Sequence, residues 1–248
     1  MKLGKRKFLP KYAIAPLCAI VLAHALVWIG TKLIMGDVPA HCVALDIDAL
    51  IPLREEWVVV YVLTFPFWLM GLLLIGRQDE PRCYRMATGA IIAEVICCAF
   101  FVFYPTIVER PVLCVDDPFS WALSIIYTAD TPTNCLPSMH CLFAYLVFRQ
   151  SLGAPRAPTS LRVFSGVFAF LVCLSTLFVK QHVVLDVVFG IFFGEISYFL
   201  GQKLPAWKLF IKINKKTLAK CSVMWFNLYK PPPKSIELNK NLNSGGIS

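Results

Sequence analysis

Residues 57–76 read WVVVYVLTFPFWLMGLLLIG, a run without Asp, Glu, Lys or Arg. A helix crosses the hydrocarbon of a bilayer in about 20 mostly apolar residues, satisfying its backbone N–H and C=O groups internally. The run therefore reads as a membrane span. Working outward from it, residues 12–31 form a second uncharged run and 163–179 a third. Residues 86–105 hold one acid, Glu94, and 183–202 hold two, Asp186 and Glu195. Residues 136–152 complete the set, with Arg149 near their end. The expectation is an all-α polytopic membrane bundle of six transmembrane helices. Composition agrees: 58% of the 248 residues are hydrophobic and 16% charged, with mean hydropathy +0.67. Soluble domains carry roughly a quarter charged residues.

The net charge of +9 would suit nucleic acid, but its placement points to a bilayer. Five Lys/Arg precede Tyr12, three lie between Arg77 and Arg85, three between Arg149 and Arg162, and nine follow Gly201. Lys32, Arg54, Arg110 and Lys180 are left for the other side. Positive charge gathers on the cytoplasmic side of membrane proteins. Both termini are thus expected inside, in the cell membrane, with anionic lipid headgroups as partners of the basic tail and no nucleic acid. The first span is read as an uncleaved anchor although 38–40 offers small residues at cleavage spacing. Residues 1–202 form the membrane domain. In the tail, 203–248, a basic interfacial helix over 203–216 is expected, stopped by Pro231-Pro232-Pro233, with a polar, disordered end over 239–248. On the outer side, 43–53 reads as a short amphipathic helix, and 106–137 as a long loop. Ten cysteines show no metal spacing; Cys114 and Cys135 would pair in an oxidising compartment, and otherwise remain free thiols.

Four histidines occur: His24, mid-membrane, and His41, His140 and His182, outside. His140 belongs to Pro137-Ser138-Met139-His140, which opens the fourth span. His182 opens the sixth, Lys180 closes the fifth, and Arg110 follows the third. Topology alone brings these span ends to one depth. Each residue has a plain alternative, since histidines at helix ends are often solvated and a membrane arginine often meets lipid phosphate. Together, two imidazoles, a guanidinium, an ammonium and a serine suit a phosphoryl group, which needs a nucleophile, a proton for the leaving oxygen and positive charge around the equatorial oxygens. His182 and Asp186 stand four apart, one helical turn on one face. Asp186 is expected to hold one ring nitrogen of His182 and leave the other free to attack. Ser138 and the N–H groups near Met139 lie at a helix N-terminus, which favours an anion. Ser138 also fits a helix cap. Glu94 and Glu195, without partners in sequence, are read as polar contacts inside the bundle.

These residues resemble the type-2 phosphatidic acid phosphatase superfamily, whose motifs are K-x6-R-P, P-S-G-H and S-R-x5-H-x3-D. Arg110-Pro111 resembles the first, Pro137-Ser138-Met139-His140 the second, and Ser175 with His182 and Asp186 the third. The chain departs at Phe103, Met139 and Thr176, where the family has Lys, Gly and Arg. The string Lys180-Gln181-His182 looks most like the branch containing inositol phosphorylceramide synthases, which transfer a headgroup to an alcohol. The resemblance implies a lipid phosphatase or phosphotransferase of lipid metabolism, acting on a phosphorylated lipid without metal or cofactor. By the same resemblance His182 is the nucleophile, Asp186 its orienting acid and His140 the proton donor. Arg110, Lys180, Ser138 and the N–H groups near Met139 bind phosphate, Lys180 standing in for the absent arginine at 176. Alternatives are a headgroup transferase, or a non-catalytic lipid-binding protein on the same scaffold.

Overall fold

A computed structural model describes residues 9–35 and 38–213. The chain divides into two units, Met1–Ile211 and Lys212–Ser248, and the first carries the bundle. The expected proline stop at 231–233 and the polar end at 239–248 lie outside the described residues. Among those described, eight α-helices dominate: α1 (Lys11–Met35), α2 (Asp46–Leu50), α3 (Val58–Gly76), α4 (Glu80–Phe103), α5 (Pro118–Ala129), α6 (Met139–Leu152), α7 (Thr159–Phe178) and α8 (Val184–Lys203). Two dipeptide strands, β1 (His41–Cys42) and β2 (Thr106–Ile107), pair in parallel. The architecture is an all-α membrane bundle. Five of the helices, α1, α3, α4, α7 and α8, are long and apolar enough to span a membrane.

The remaining expected span, α6, has 14 residues, about 21 Å at 1.5 Å per residue against a hydrocarbon core of about 30 Å. It occupies the centre of the bundle, packed on α3, α7 and α8. The turn that would precede it is replaced by buried, non-helical chain at 135–138. Irregular backbone is tolerated at such depth only where protein satisfies it. Here Thr106 Oγ1 accepts the N–H groups of Cys135 and Leu136, at 3.0 and 2.9 Å, and the Asp186 carbonyl accepts that of Ser138 at 3.0 Å.

Small residues set the helix spacing, as is usual where apolar lipid removes the hydrophobic drive between helices. A Cβ on Gly201 of α8 would stand 2.7 Å from Gly89 of α4, so the two backbones touch. A Cβ on Gly190 would stand 2.9 Å from the Ser138 carbonyl. That contact brings the first turns of α8 against the first turn of α6.

The expected outer loop over 106–137 contains α5, whose start is written in Asp117-Pro118: the Asp117 carboxylate accepts from Phe119 N at 2.6 Å and Ser120 N at 3.3 Å, with proline in the first turn. The expected helix over 43–53 shrinks to α2. Asp48 is drawn inward there, its Oδ1 accepting the Val184 N–H at 2.8 Å, one of the unpaired donors at the start of α8. At the opposite end of the bundle, Arg149 pairs with Glu195 at 2.8 Å, Arg85 lies over Trp207 and Tyr84 stacks on Phe210. Residues 207–211 are helical, within the stretch expected to be interfacial.

Candidate active site

The five long helices and α6 present one end to the same region. α4 and α7 end there and α6 and α8 begin there; α1 and α3 contribute Lys32 and Tyr61. Between them lies a cavity of about 340 Å³, which His140 and His182 both line. Their ring centroids are 5.6 Å apart.

His182 sits in the turn between α7 and α8. The Thr176 carbonyl accepts N–H bonds from both Gln181 and His182, at 3.0 and 3.1 Å, which folds the chain back after the end of α7. Nδ1 of His182 lies 3.2 Å from Asp186 Oδ2, the same oxygen that accepts the Val183 N–H at 3.0 Å. Asp186 thus caps α8 and fixes the imidazole at once, leaving Nε2 as the unengaged nitrogen. Burial, the largest influence, disfavours the charged ring. The hydrogen bond and negative charge of Asp186 outweigh it, and the His182 pKa is raised.

His140 follows Ser138, whose Oγ caps α6 by accepting from Cys141 N at 3.4 Å. The His140 ring is boxed by Tyr61 at 4.5 Å, Trp68 at 5.6 Å and Phe65 at 5.8 Å. Its Nε2 is buried without a partner, as are Gln181 Nε2 and Asn134 Oδ1, two further atoms from cavity-lining residues. Buried polar atoms normally have partners; these three, on residues around one cavity, have none.

The expected cationic cradle is arranged differently. Arg110 spends its guanidinium on the last turn of α5 and the chain after it, donating to the Asp130 carbonyl at 2.7 Å and those of Tyr127 and Thr131 at 3.3 Å, and to Gln181 Oε1. It lies over the Tyr127 ring. Its effect on the cavity passes through Gln181, whose amide it orients so that the N–H end stays free. Lys180 does not line the cavity: α7 ends at Phe178, and Lys180 takes a left-handed φ of 52°. Its Nζ donates to the carbonyls of Asp48, at 3.1 Å, and Ile51. The expected helical continuation that would place Lys180 above Thr176 is absent, and Thr176 itself is buried, bonded to the Cys173 carbonyl at 2.8 Å.

The sequence reading missed the cation that does line the cavity. Lys32, from α1, pairs with Asp130 at 2.6 Å and lies over Trp28, whose Nε1 also reaches Asp130 at 3.4 Å. The local signal was the lone lysine after an uncharged span. Its partner sits just beyond α5, in the stretch whose sequence reads as loop. Cys114 and Cys135 are both free thiols: Cys114 is exposed, while Cys135 is buried beside Val108 and Val183. Cys135 Sγ, a ring nitrogen of His182 and a carboxylate oxygen of Asp186 lie within 4.8 Å of one another, the donor set that would hold a metal if one bound. Burial, then the Asp186 charge, push the Cys135 thiol up, which disfavours the thiolate a metal needs. Comparison with family models, curated proteins and solved structures finds no match.

Proposed function

We propose that the chain is an integral-membrane lipid phosphatase or phosphotransferase of the type-2 phosphatidic acid phosphatase kind, with both termini cytoplasmic and the site at the outer face of the cell membrane. The carrying observation is the pair of imidazoles, 5.6 Å apart at the cavity, one of them held through Nδ1 by a buried carboxylate. In the proposed reaction His182 Nε2 forms a bond to phosphorus and the ester P–O bond breaks. His140 gives its proton to the departing oxygen. His140 then takes a proton from water or an alcohol, whose oxygen bonds to phosphorus as the P–N bond breaks. Gln181 Nε2 and the Lys32 ammonium are the donors best placed for the equatorial oxygens. Arg110 positions Gln181. No metal takes part in these steps.

The test is turnover of purified protein on a panel of phosphorylated lipids, with and without alcohol acceptors and with a chelator throughout. His182→Ala is expected to abolish turnover. His140→Ala is expected to accumulate phosphate on His182 from a substrate with a good leaving group, which needs little proton donation. Normal turnover in His182→Ala, or loss of activity with chelator, overturns the assignment. Turnover of none of the panel favours a lipid-binding protein.

A further inference from the structure

One ionisable pair takes no part in this chemistry. His24 of α1 places Nδ1 2.8 Å from Glu94 Oε1 of α4. Glu94 is buried, 1% exposed, and its other oxygen has no partner. An ionisable group in the middle of a span is costly and is a functional candidate by default. The plain alternative is a polar contact joining α1 to α4. Such a contact has no need of an opening, yet the His24 side chain is 31% exposed and forms part of the cavity wall. Trp68 and Phe143 pack edge-on to its ring, each at 5.6 Å, holding it in one orientation.

Trp68 also stands 5.6 Å from His140, so His24 lies one aromatic ring away from the proposed proton donor. Along α1 it is eight residues before Lys32, about 12 Å deeper in the bundle. The cavity thus carries polar groups at two depths, separated by Trp68, Phe65 and Tyr61. A neutral imidazole that gives its Nδ1–H to the Glu94 carboxylate carries an acceptor at Nε2. No protein donor meets that Nε2 among the described residues.

We propose that His24 and Glu94 form a second polar subsite, which accepts a hydrogen bond from a hydroxyl on the amphiphile held in the cavity. The inference rests on the reading that this cavity takes a lipid. An ester carbonyl or ether oxygen cannot donate and does not satisfy the site. A chain without the hydroxyl leaves Nε2 facing apolar groups, and sites built to bond a hydroxyl discriminate strongly against analogues lacking it. The hydroxyl belongs either to the phosphorylated lipid or to an alcohol acceptor.

The experiment measures binding to the full-length protein in detergent. The probes are long-chain alkyl phosphonates carrying one hydroxyl at successive carbons, the corresponding methyl ethers and the unsubstituted chain. One hydroxyl position is expected to bind about tenfold tighter or better than the plain chain, and its methyl ether to lose the gain. In His24→Leu combined with Glu94→Leu, which removes both partners together, the preference is expected to vanish. Equal binding of hydroxylated and plain probes, no binding of either, an ether as good as the alcohol, or a preference that survives the double substitution overturns the subsite. The ether comparison decides even if the double variant does not fold. The same comparison with alcohols and diols lacking the phosphonate separates the sources. A preference seen there assigns the hydroxyl to an acceptor, and one confined to phosphonates assigns it to the phosphorylated lipid. Turnover of the matching phosphates is followed separately: preference without turnover removes the enzyme reading and keeps the subsite, and turnover without preference does the reverse.

Discussion

At the scale of single residues, the His182–Asp186 pair was legible because a spacing of four needs only one turn of helix. The partners of Arg110, Lys32 and His24 were not, because each lies on an element whose placement no local pattern states. Arg110 meets Gln181 across 71 residues and His24 meets Glu94 across 70. The pair that was legible makes a pH prediction. Attack requires neutral His182, and its raised pKa keeps the ring protonated to higher pH than an ordinary histidine. Formation of the phosphoenzyme from an activated substrate is therefore expected to fall as pH drops through a value above the usual 6.5 or so. In Asp186→Asn the largest raising charge is gone and burial weighs more heavily, so the acid limb moves to lower pH. The maximal rate should also fall by roughly 10²- to 10⁴-fold, as it does when an orienting carboxylate is neutralised. Rapid-mixing measurements across pH check both effects. An acid limb that stays in place in Asp186→Asn would refute the assignment of the titrating group.

Among the elements, the long apolar helices were readable from run length, since the bilayer imposes that length directly. The short ones were not: α2 and α5 owe their extent to polar capping and to contacts with distant groups. The five-residue α2 matters most, because it joins the turn carrying His182 to the rest of the site end of the bundle. Asp48 supplies a carboxylate to Val184 N and a carbonyl to Lys180, while Lys180 also holds the Ile51 carbonyl. The left-handed backbone at Lys180, unfavourable for a side chain with Cβ, is what turns its ammonium toward α2. Asp48→Ala leaves the Val184 N–H without a partner, at a cost of about 1–3 kcal/mol. Lys180→Met is expected to cost less, about 1 kcal/mol, because its side chain is only partly buried. The two losses should be less than additive, since both loosen the same helix. Melting of the detergent-solubilised variants measures this. Catalysis in Lys180→Met should decline with the order of the His182 turn, and adding Thr176→Arg should not restore it, because position 176 is buried beside Cys141. Rescue by that arginine would return Lys180 to the phosphate.

For the whole molecule, charge and chain geometry describe the same two-sided object. The ends of α4 and α7 and the starts of α6 and α8 carry the site, while the opposite ends carry Arg77, Arg82, Arg85, Arg149, Arg156 and Arg162. Several of these arginines also hold that end together: Arg82 donates to the Gly153 carbonyl and Arg156 to that of Gln78, at 2.8 Å. The charge asymmetry thus serves packing as well as orientation, and packing alone does not choose a side of the membrane. Membrane insertion supplies the deciding physics, since basic loops next to spans are retained in the cytoplasm. Arg77 is exposed at the basic end, and Val112, 96% exposed, lies in the loop between β2 and α5 at the site end. In a background without reactive native cysteines, Val112→Cys on intact cells should react with an impermeant thiol reagent, and Arg77→Cys should react only after the membrane is opened. The reverse pattern would turn the site toward the cytoplasm and leave its chemistry as drawn. Labelling of both in intact cells would mean that α4, the helix between the two positions, does not separate the two ends as a span must.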